Sequence, residues 1–352
     1  MGWVGPALLL RPSSVTTDLG RTRYTEVGVK MPSAPMFART DPARRGPRPS
    51  LRVVPAALLM VAATACSSPA PAVPPSPAPA SLASTPGSPP AASSAAAPAA
   101  LPAGPCGDDQ PGRYDSELFT PEPVHTVPFS ADLLADIYSP AGDPATCRAG
   151  VVWVHGGGFT QGTRNGDAEH AWGNAMAARG YVLASIDYRL GTGAPFSLDQ
   201  ATDAQSQAIV TAAVSDGQTA VNWLRGAGTA YGVDPQRVAI GGTSAGAMSA
   251  LGVGLTAPEQ DRACAVVSVS GDLDPAWIGT RPPPVLFIHG NADDVVPYDS
   301  SVTGVDLLTA AGGTATLVTI DGAGHEITGV PTPDMVQAAA GWFRAHAAAT
   351  CG

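Results

Sequence analysis

The chain has 352 residues, 44% of them hydrophobic, with 19 basic against 29 acidic side chains and a formal net charge of −10. Residues 1–65 hold nine of the basic and three of the acidic residues, so 10 basic and 26 acidic remain after Ala65, a formal net of −16 that argues against the basic patch nucleic-acid binding normally needs. The five cysteines have no C-x-x-C pair and the six histidines no clustered spacing, so no metal site is expected.

Taken from the amino end, residues 1–35 add nothing to a fold and read as an over-long start or an untypical leader. Residues 36–65 carry Arg39, Arg44, Arg45, Arg48 and Arg52, then the apolar run Val53–Ala63, then Thr64-Ala65-Cys66. A basic region, a short apolar core and small residues at the end form the pattern of a secretory signal, and the run is too short to span a bilayer. Ala63-Thr64-Ala65-Cys66 resembles a bacterial lipobox, with alanine where leucine is usual; the resemblance implies lipidation of Cys66, against ordinary cleavage near Ala65. Residues 66–105 are nearly all Ala, Pro and Ser, without periodicity or apolar residues to bury, and are expected to be a disordered spacer. The expected location is secreted or cell-surface, with a membrane met only through the lipid anchor.

Residues 106–352 suit one large α/β domain. Thr126–Ser130 and Asp132–Ser139 predict an antiparallel hairpin. Strands near 150–155, 181–187, 237–241, 264–270, 284–289 and 315–320 then alternate with helices near 167–179, 212–226, 244–255, 300–311 and 332–348. This alternation predicts a mostly parallel eight-stranded sheet with helices on both faces. Setting Cys66 aside leaves Cys106, Cys147, Cys264 and Cys351, which allow three pairings. Cys106 with Cys147 and Cys264 with Cys351 are favoured, because each pair would tie an end of the domain to the sheet.

The chemistry sits where strands end. Arg237–Gly241 runs into Gly242-Thr243-Ser244-Ala245-Gly246, a G-x-S-x-G sequence whose small residues permit a sharp turn and leave the serine exposed. Ser244 is the expected nucleophile. Val151–Val154 runs into His155-Gly156-Gly157-Gly158-Phe159, where three consecutive glycines free backbone N–H groups to face a developing negative charge. Gly157, Gly158 and Ala245 are the expected oxyanion donors, and His155 is expected to brace the loop. A serine hydroxyl needs a base and a carboxylate that orients it. His289-Gly290-Asn291-Ala292-Asp293-Asp294 follows one buried run, and Asp321-Gly322-Ala323-Gly324-His325 follows the next. His325 is the expected base. Asp293 is the expected acid, with Asp294 and the Asp272/Asp274 pair as alternatives. His125, His170, His289 and His346 are expected in surface or loop packing.

The HGGGF loop, Asp187-Tyr188-Arg189-Leu190, the GTSAG turn, the HGNADDVVPY segment and the GAGH segment, in this order over residues 115 to 347, resemble the α/β-hydrolase serine esterases. Within that group the similarity is to bacterial carboxylesterases related to hormone-sensitive lipase and to feruloyl and acetyl-xylan esterases. The resemblance implies the α/β-hydrolase fold, the chain order Ser244, Asp293, His325, an acyl-enzyme route and no cofactor. Thr243 stands where the more common turn has aspartate. Phe159, Tyr188 and Trp277 are candidates for the substrate pocket, and Gly191–Gln207 is expected above the sheet near the site. The expected substrate is a short or soluble ester, small or linked to a polysaccharide, acted on by a monomer. A peptidase of the same fold and a non-catalytic binding protein on the same scaffold are the alternatives.

Overall fold

The runs of valine, isoleucine, leucine and alanine picked out above become strands in the computed structural model, which describes residues 110–192 and 204–347. The order along the chain is β1 His125–Pro128, β2 Leu134–Tyr138, β3 Arg148–Val154, α1 Asp167–Ala178, β4 Val182–Ile186, α2 Ala204–Ala227, β5 Val233–Thr243, α3 Ala245–Thr256, β6 Val266–Val269, β7 Val285–Gly290, α4 Tyr298–Ala310, β8 Ala315–Ile320 and α5 Pro333–His346. They form one eight-stranded sheet in the order β1-β2-β4-β3-β5-β6-β7-β8. β1 and β2 pair antiparallel, as does β2 with β4; from β4 to β8 every pairing is parallel.

Side-chain alternation along the strands builds two cores. Val152, Val154, Ile240, Val266 and Phe287 pack with residues of α2, α3 and α4 on one face. Val151, Trp153, Ala239, Val267 and Ile288 pack with residues of α1 and α5 on the other. A parallel sheet covered on both faces needs apolar residues at every strand position, and β3, β4, β6 and β7 are buried throughout.

Two elements differ from their predicted extents. α2 begins at Ala204, eight residues before the predicted start at 212, so the end of the segment expected above the sheet near the site, Ala204–Gln207, is helical. Its alanines and glutamines are good helix formers, and Ser206, Val210 and Ala213 lie on the buried side. Residues 193–203 of that segment lie outside the described residues. β5 runs over 11 residues, Val233–Thr243, because Val233 rejoins β3 at Arg148 across a register shift.

The expected leader, signal, lipidation site Cys66 and spacer all lie outside the described residues, as do Cys106 and Cys351. Cys147, just before β3, and Cys264, just before β6, are each disulfide-bonded.

Candidate active site

Parallel strands all present their carboxyl ends to one edge of the sheet, and the loops leaving those ends make the site. The glycine-rich loop follows β3, Ser244 follows β5, Asp293 follows β7 and His325 follows β8.

Ser244 sits between β5 and α3 with φ 52° and ψ −121°, a left-handed conformation strained for a residue with a side chain. The strain is held by close packing: a Cβ on Gly246 would overlap the carbonyls of Val154 and His155, and one on Gly242 would lie 2.6 Å from Gly246. Ser244 N–H is donated to the Val269 carbonyl at 2.8 Å, which pins the turn to β6.

His325 Nε2 lies 3.0 Å from Ser244 Oγ, and His325 Nδ1 lies 2.8 Å from Asp293 Oδ2. A carboxylate only accepts, so Nδ1–H is the donor and Nε2 is left to accept the serine proton. The other Asp293 oxygen accepts the N–H groups of Val295 at 3.0 Å and Val296 at 2.9 Å. Burial alone would raise the Asp293 carboxyl, but the hydrogen bonds from His325, Val296 and Val295 outweigh it and hold the group below the ordinary carboxylate range.

Among the described residues none of the alternative acids is hydrogen-bonded to His325. Asp294 is exposed. Asp274 caps the short turn at Pro275–Trp277 by accepting the Ala276 N–H at 2.9 Å, and Asp272 borders a separate shallow hollow.

Gly157 and Gly158 have φ of 117° and 58°, values that favour glycine, and a Cβ on Gly157 would overlap the Gln161 carbonyl. The Gly157 carbonyl is held from the other side by the N–H groups of Thr160 at 3.2 Å and Gln161 at 3.1 Å. Among the described residues the N–H groups of Gly157, Gly158 and Ala245 have no carbonyl acceptor, and all three residues line the cavity that Ser244 and His325 open into. That cavity has a volume of about 870 Å³.

The three residues expected to contact substrate separate. Phe159 borders the cavity, but its side chain is fully buried in the core, edge-on to the Tyr188 ring at 6.3 Å between centroids, so it backs the wall instead of offering a surface to substrate. Tyr188 does not line the cavity: it is 3% exposed, its hydroxyl is donated to the His155 carbonyl at 3.2 Å, and its ring stacks on His155 at 4.4 Å between centroids. Tyr188 therefore supports the glycine loop from beneath. Trp277 does not line the cavity either; it packs against the core over α3, where a Cβ on Gly252 would lie 3.5 Å from its ring. The neighbouring charges of the DYRL segment are spent on structure, Asp187 pairing with Arg164 at 2.7 Å and Arg189 with Asp216 at 2.8 Å.

His155 braces the loop, its Nδ1 lying 2.7 Å from the Gly156 carbonyl, and burial lowers its pKa. His289 departs from its predicted surface or loop setting. It is fully buried at the end of β7, with Nε2 at 3.1 Å from the Val296 carbonyl and 3.3 Å from Asp293 Oδ2. Both of those are acceptors, so Nε2–H donates, and Nδ1 accepts from Ser301 Oγ at 2.7 Å. Its place four residues before Asp293, at the end of a buried apolar run, was the available sequence signal.

The motifs and the sheet are matched by known proteins. A family model described as BD-FAE matches residues 135–274, which hold the glycine loop and Ser244, and one described as the prolyl oligopeptidase family matches residues 271–350, which hold Asp293 and His325. The chain is 36% identical over 115 residues to fumonisin B1 esterase of Sphingopyxis macrogoltabida, covering 32% of this chain and 21% of that protein. It is 35% identical over 100 residues to para-nitrobenzyl esterase of Bacillus subtilis, covering 28% of this chain and 19% of that protein. The chain thus spans less than a third of the length of the curated relatives it matches. Among solved structures, the apo form of Thermogutta terrifontis esterase 2 superimposes with a TM-score of 0.51 at 26% identity, covering 66% of this chain and 97% of that one. The sheet order, the placement of the loops at the strand ends and these likenesses together give the chain the α/β-hydrolase fold, and the proteins it is similar to there are esterases.

Proposed function

We propose that the chain is a serine carboxylic-ester hydrolase of the carboxylesterase type. The observation that carries this reading is the hydrogen-bonded line from Ser244 Oγ through His325 to Asp293, opening into a cavity also lined by Gly157, Gly158 and Ala245, whose N–H groups have no carbonyl acceptor among the described residues. In the first stage Ser244 Oγ attacks the ester carbonyl carbon as its proton passes to His325 Nε2, and the amides of Gly157, Gly158 and Ala245 receive the oxyanion. Collapse expels the alcohol, which takes the proton from His325. In the second stage a water gives a proton to His325 and attacks the acyl carbon, and collapse breaks the bond to Ser244 Oγ, which takes the proton back from His325 as the acid leaves. Asp293 stays ionised throughout and stabilises the imidazolium.

Short or soluble esters, small or carried on a polysaccharide, are the proposed substrates, and a monomer without nucleic-acid partners is the proposed working form. The chain is proposed to work outside the cytoplasm, with residues 36–65 as signal, Cys66 as lipid attachment and residues 66–105 as spacer. The proposed disulfides are Cys106–Cys147 and Cys264–Cys351. A second reading, a peptidase, is favoured by the match of the carboxyl-terminal part to the prolyl oligopeptidase family. A hydrolysis panel over acyl chain lengths, acetylated xylan, feruloyl esters and a prolyl-peptide anilide tests both. Ester cleavage with the peptide untouched supports the proposal, and peptide cleavage with all esters untouched rejects it.

A further inference from the structure

Glu169 faces the same cavity as Ser244 and has no part in the steps above. It is the third residue of α1, only 6% exposed. A glutamate there commonly closes a reciprocal cap by accepting the N–H of the residue before the helix. That N–H, of Gly166, is instead donated to the Thr163 carbonyl at 3.4 Å. Among the described residues no basic side chain pairs with Glu169, and its own backbone N–H offsets the burial of the carboxylate only in part. Burial without a cation pushes the carboxyl above its ordinary range.

Gly166, at the start of the same helix, leaves room for this carboxyl. Its φ of −67° and ψ of 163° suit any residue, yet a Cβ there would overlap Glu169 Oε2. That oxygen is the movable end of a long side chain, so an added methyl group would displace the carboxyl from the cavity wall that both residues line. Gln161 and Thr163 add polar groups to the wall and Asp294 adds a second carboxylate, while among the described residues no lysine or arginine lines it.

A buried carboxylate without a partner is unfavourable, and a cation that also donates a hydrogen bond offsets this better than a neutral donor. The geometry points to Glu169 as a specificity-determining residue that receives a protonated amine carried by the ester substrate. This rests on the reading of Ser244 as nucleophile. Anionic esters are repelled by the same two carboxylates, and hydroxyl-bearing esters gain a weaker bond.

Three near-isosteric butyrates read the subsite: the 2-(dimethylamino)ethyl ester, protonated at neutral pH, the 3-methylbutyl ester and the 3-hydroxybutyl ester. The quantity to follow is kcat/KM for the amine ester over that for the 3-methylbutyl ester, since losses common to both cancel. Glu169→Gln is expected to lower this ratio by about tenfold or more, the scale of a hydrogen bond to a charged group. Gly166→Ala, which displaces the carboxyl, is expected to lower it in the same direction. A ratio equal in wild type and Glu169→Gln, or a preference for the hydroxybutyl ester that Glu169→Gln abolishes, overturns the assignment. Calorimetric binding to Ser244→Ala protein reads the subsite without turnover. Tighter binding of the amine ester than of the 3-methylbutyl ester, lost when Glu169→Gln is added, supports it, and equal binding of the two rejects it. If wild type cleaves none of the three esters while this binding persists, the hydrolase reading fails and the amine subsite stands.

Discussion

His289 Nε2 lies 3.3 Å from Asp293 Oδ2, so the carboxylate that orients His325 is also gripped from the protein interior. The opposite nitrogen of His289 accepts from Ser301 Oγ at 2.7 Å, which ties α4 to the same group. Asp293 thus meets two imidazoles and two backbone amides, and its position is fixed before any substrate arrives.

Replacing His289 by phenylalanine keeps the ring and removes both nitrogens. The Ser301 hydroxyl and one Asp293 lone pair are then buried without partners, at a cost of about 1–3 kcal/mol. A lower denaturant midpoint with unchanged slope, together with a fall in kcat larger than the change in KM, is the expected result. Wild-type kcat in the variant would show that His325 and the two amides suffice to hold Asp293.

Asp293 and Asp294 are adjacent in sequence and opposite in setting, one with a fully buried carboxyl on His325 and one exposed. Asp293→Asn exchanges an acceptor for an amide that stabilises the wrong imidazole tautomer, and kcat is expected to fall by about 10³–10⁴. Asp294→Asn on a neutral ester should stay within about twofold, as surface substitutions do. Steady-state kinetics on the two variants decides the assignment, and a reversed ranking would move the acid to Asp294.

At Gly157 an added methyl group meets the Gln161 carbonyl and the backbone keeps a φ that side chains disfavour. Gly157→Ala is therefore expected to shift the loop and remove an oxyanion donor, lowering kcat by about 10²–10³. The fall in turnover should come with a lower thermal midpoint, because the overlap and the disfavoured φ also strain the fold. Full activity in this variant would place the oxyanion donors elsewhere.

Acid should destabilise the fold in two stages. Burial depresses the pKa values of His155 and His289 in the folded protein below the ordinary value of about 6.5. Below that value the unfolded chain binds protons that the folded chain refuses, so stability falls as pH drops from about 6.5 and is flat above it. The depressed Asp293 carboxyl adds stability that is present above its ordinary value of 3.8 and is lost as pH falls further. Urea midpoints of Glu169→Gln, which removes a raised carboxyl that acts in the opposite sense, measured from pH 8 to pH 2 should show both declines, and a midpoint constant to pH 5 in that variant would contradict the burial of the two histidines.

Much of this architecture is written in local pattern. The strands were legible because runs such as Val151–Val154 and Val285–Ile288 are apolar at every position, as a sheet covered on both faces requires. Ser244, Asp293 and His325 were legible because each follows such a run within a few residues. What stayed hidden depends on which way a side chain turns once the helices dock. Tyr188 and Trp277 are aromatic residues near the site in sequence, but Tyr188 turns under the glycine loop and Trp277 turns into the core over α3. His289 is one of several histidines near glycine, and only the packing of α4 on β7 gives it Ser301 and Asp293 as partners. The start of α2 was missed because Ala204–Gln207 is short of apolar residues, and its helicity comes from propensity and from continuity with the buried face further along.

The central claim is that Ser244 is made nucleophilic by His325 and Asp293. Labelling with a fluorophosphonate, followed by peptide mass mapping, tests it most directly because the probe reacts only with an activated serine. One adduct on Ser244 in wild type, none in Ser244→Ala, and a strongly slowed reaction in His325→Ala are the predicted results. An adduct on another residue, or equal labelling of wild type and Ser244→Ala, would contradict the account.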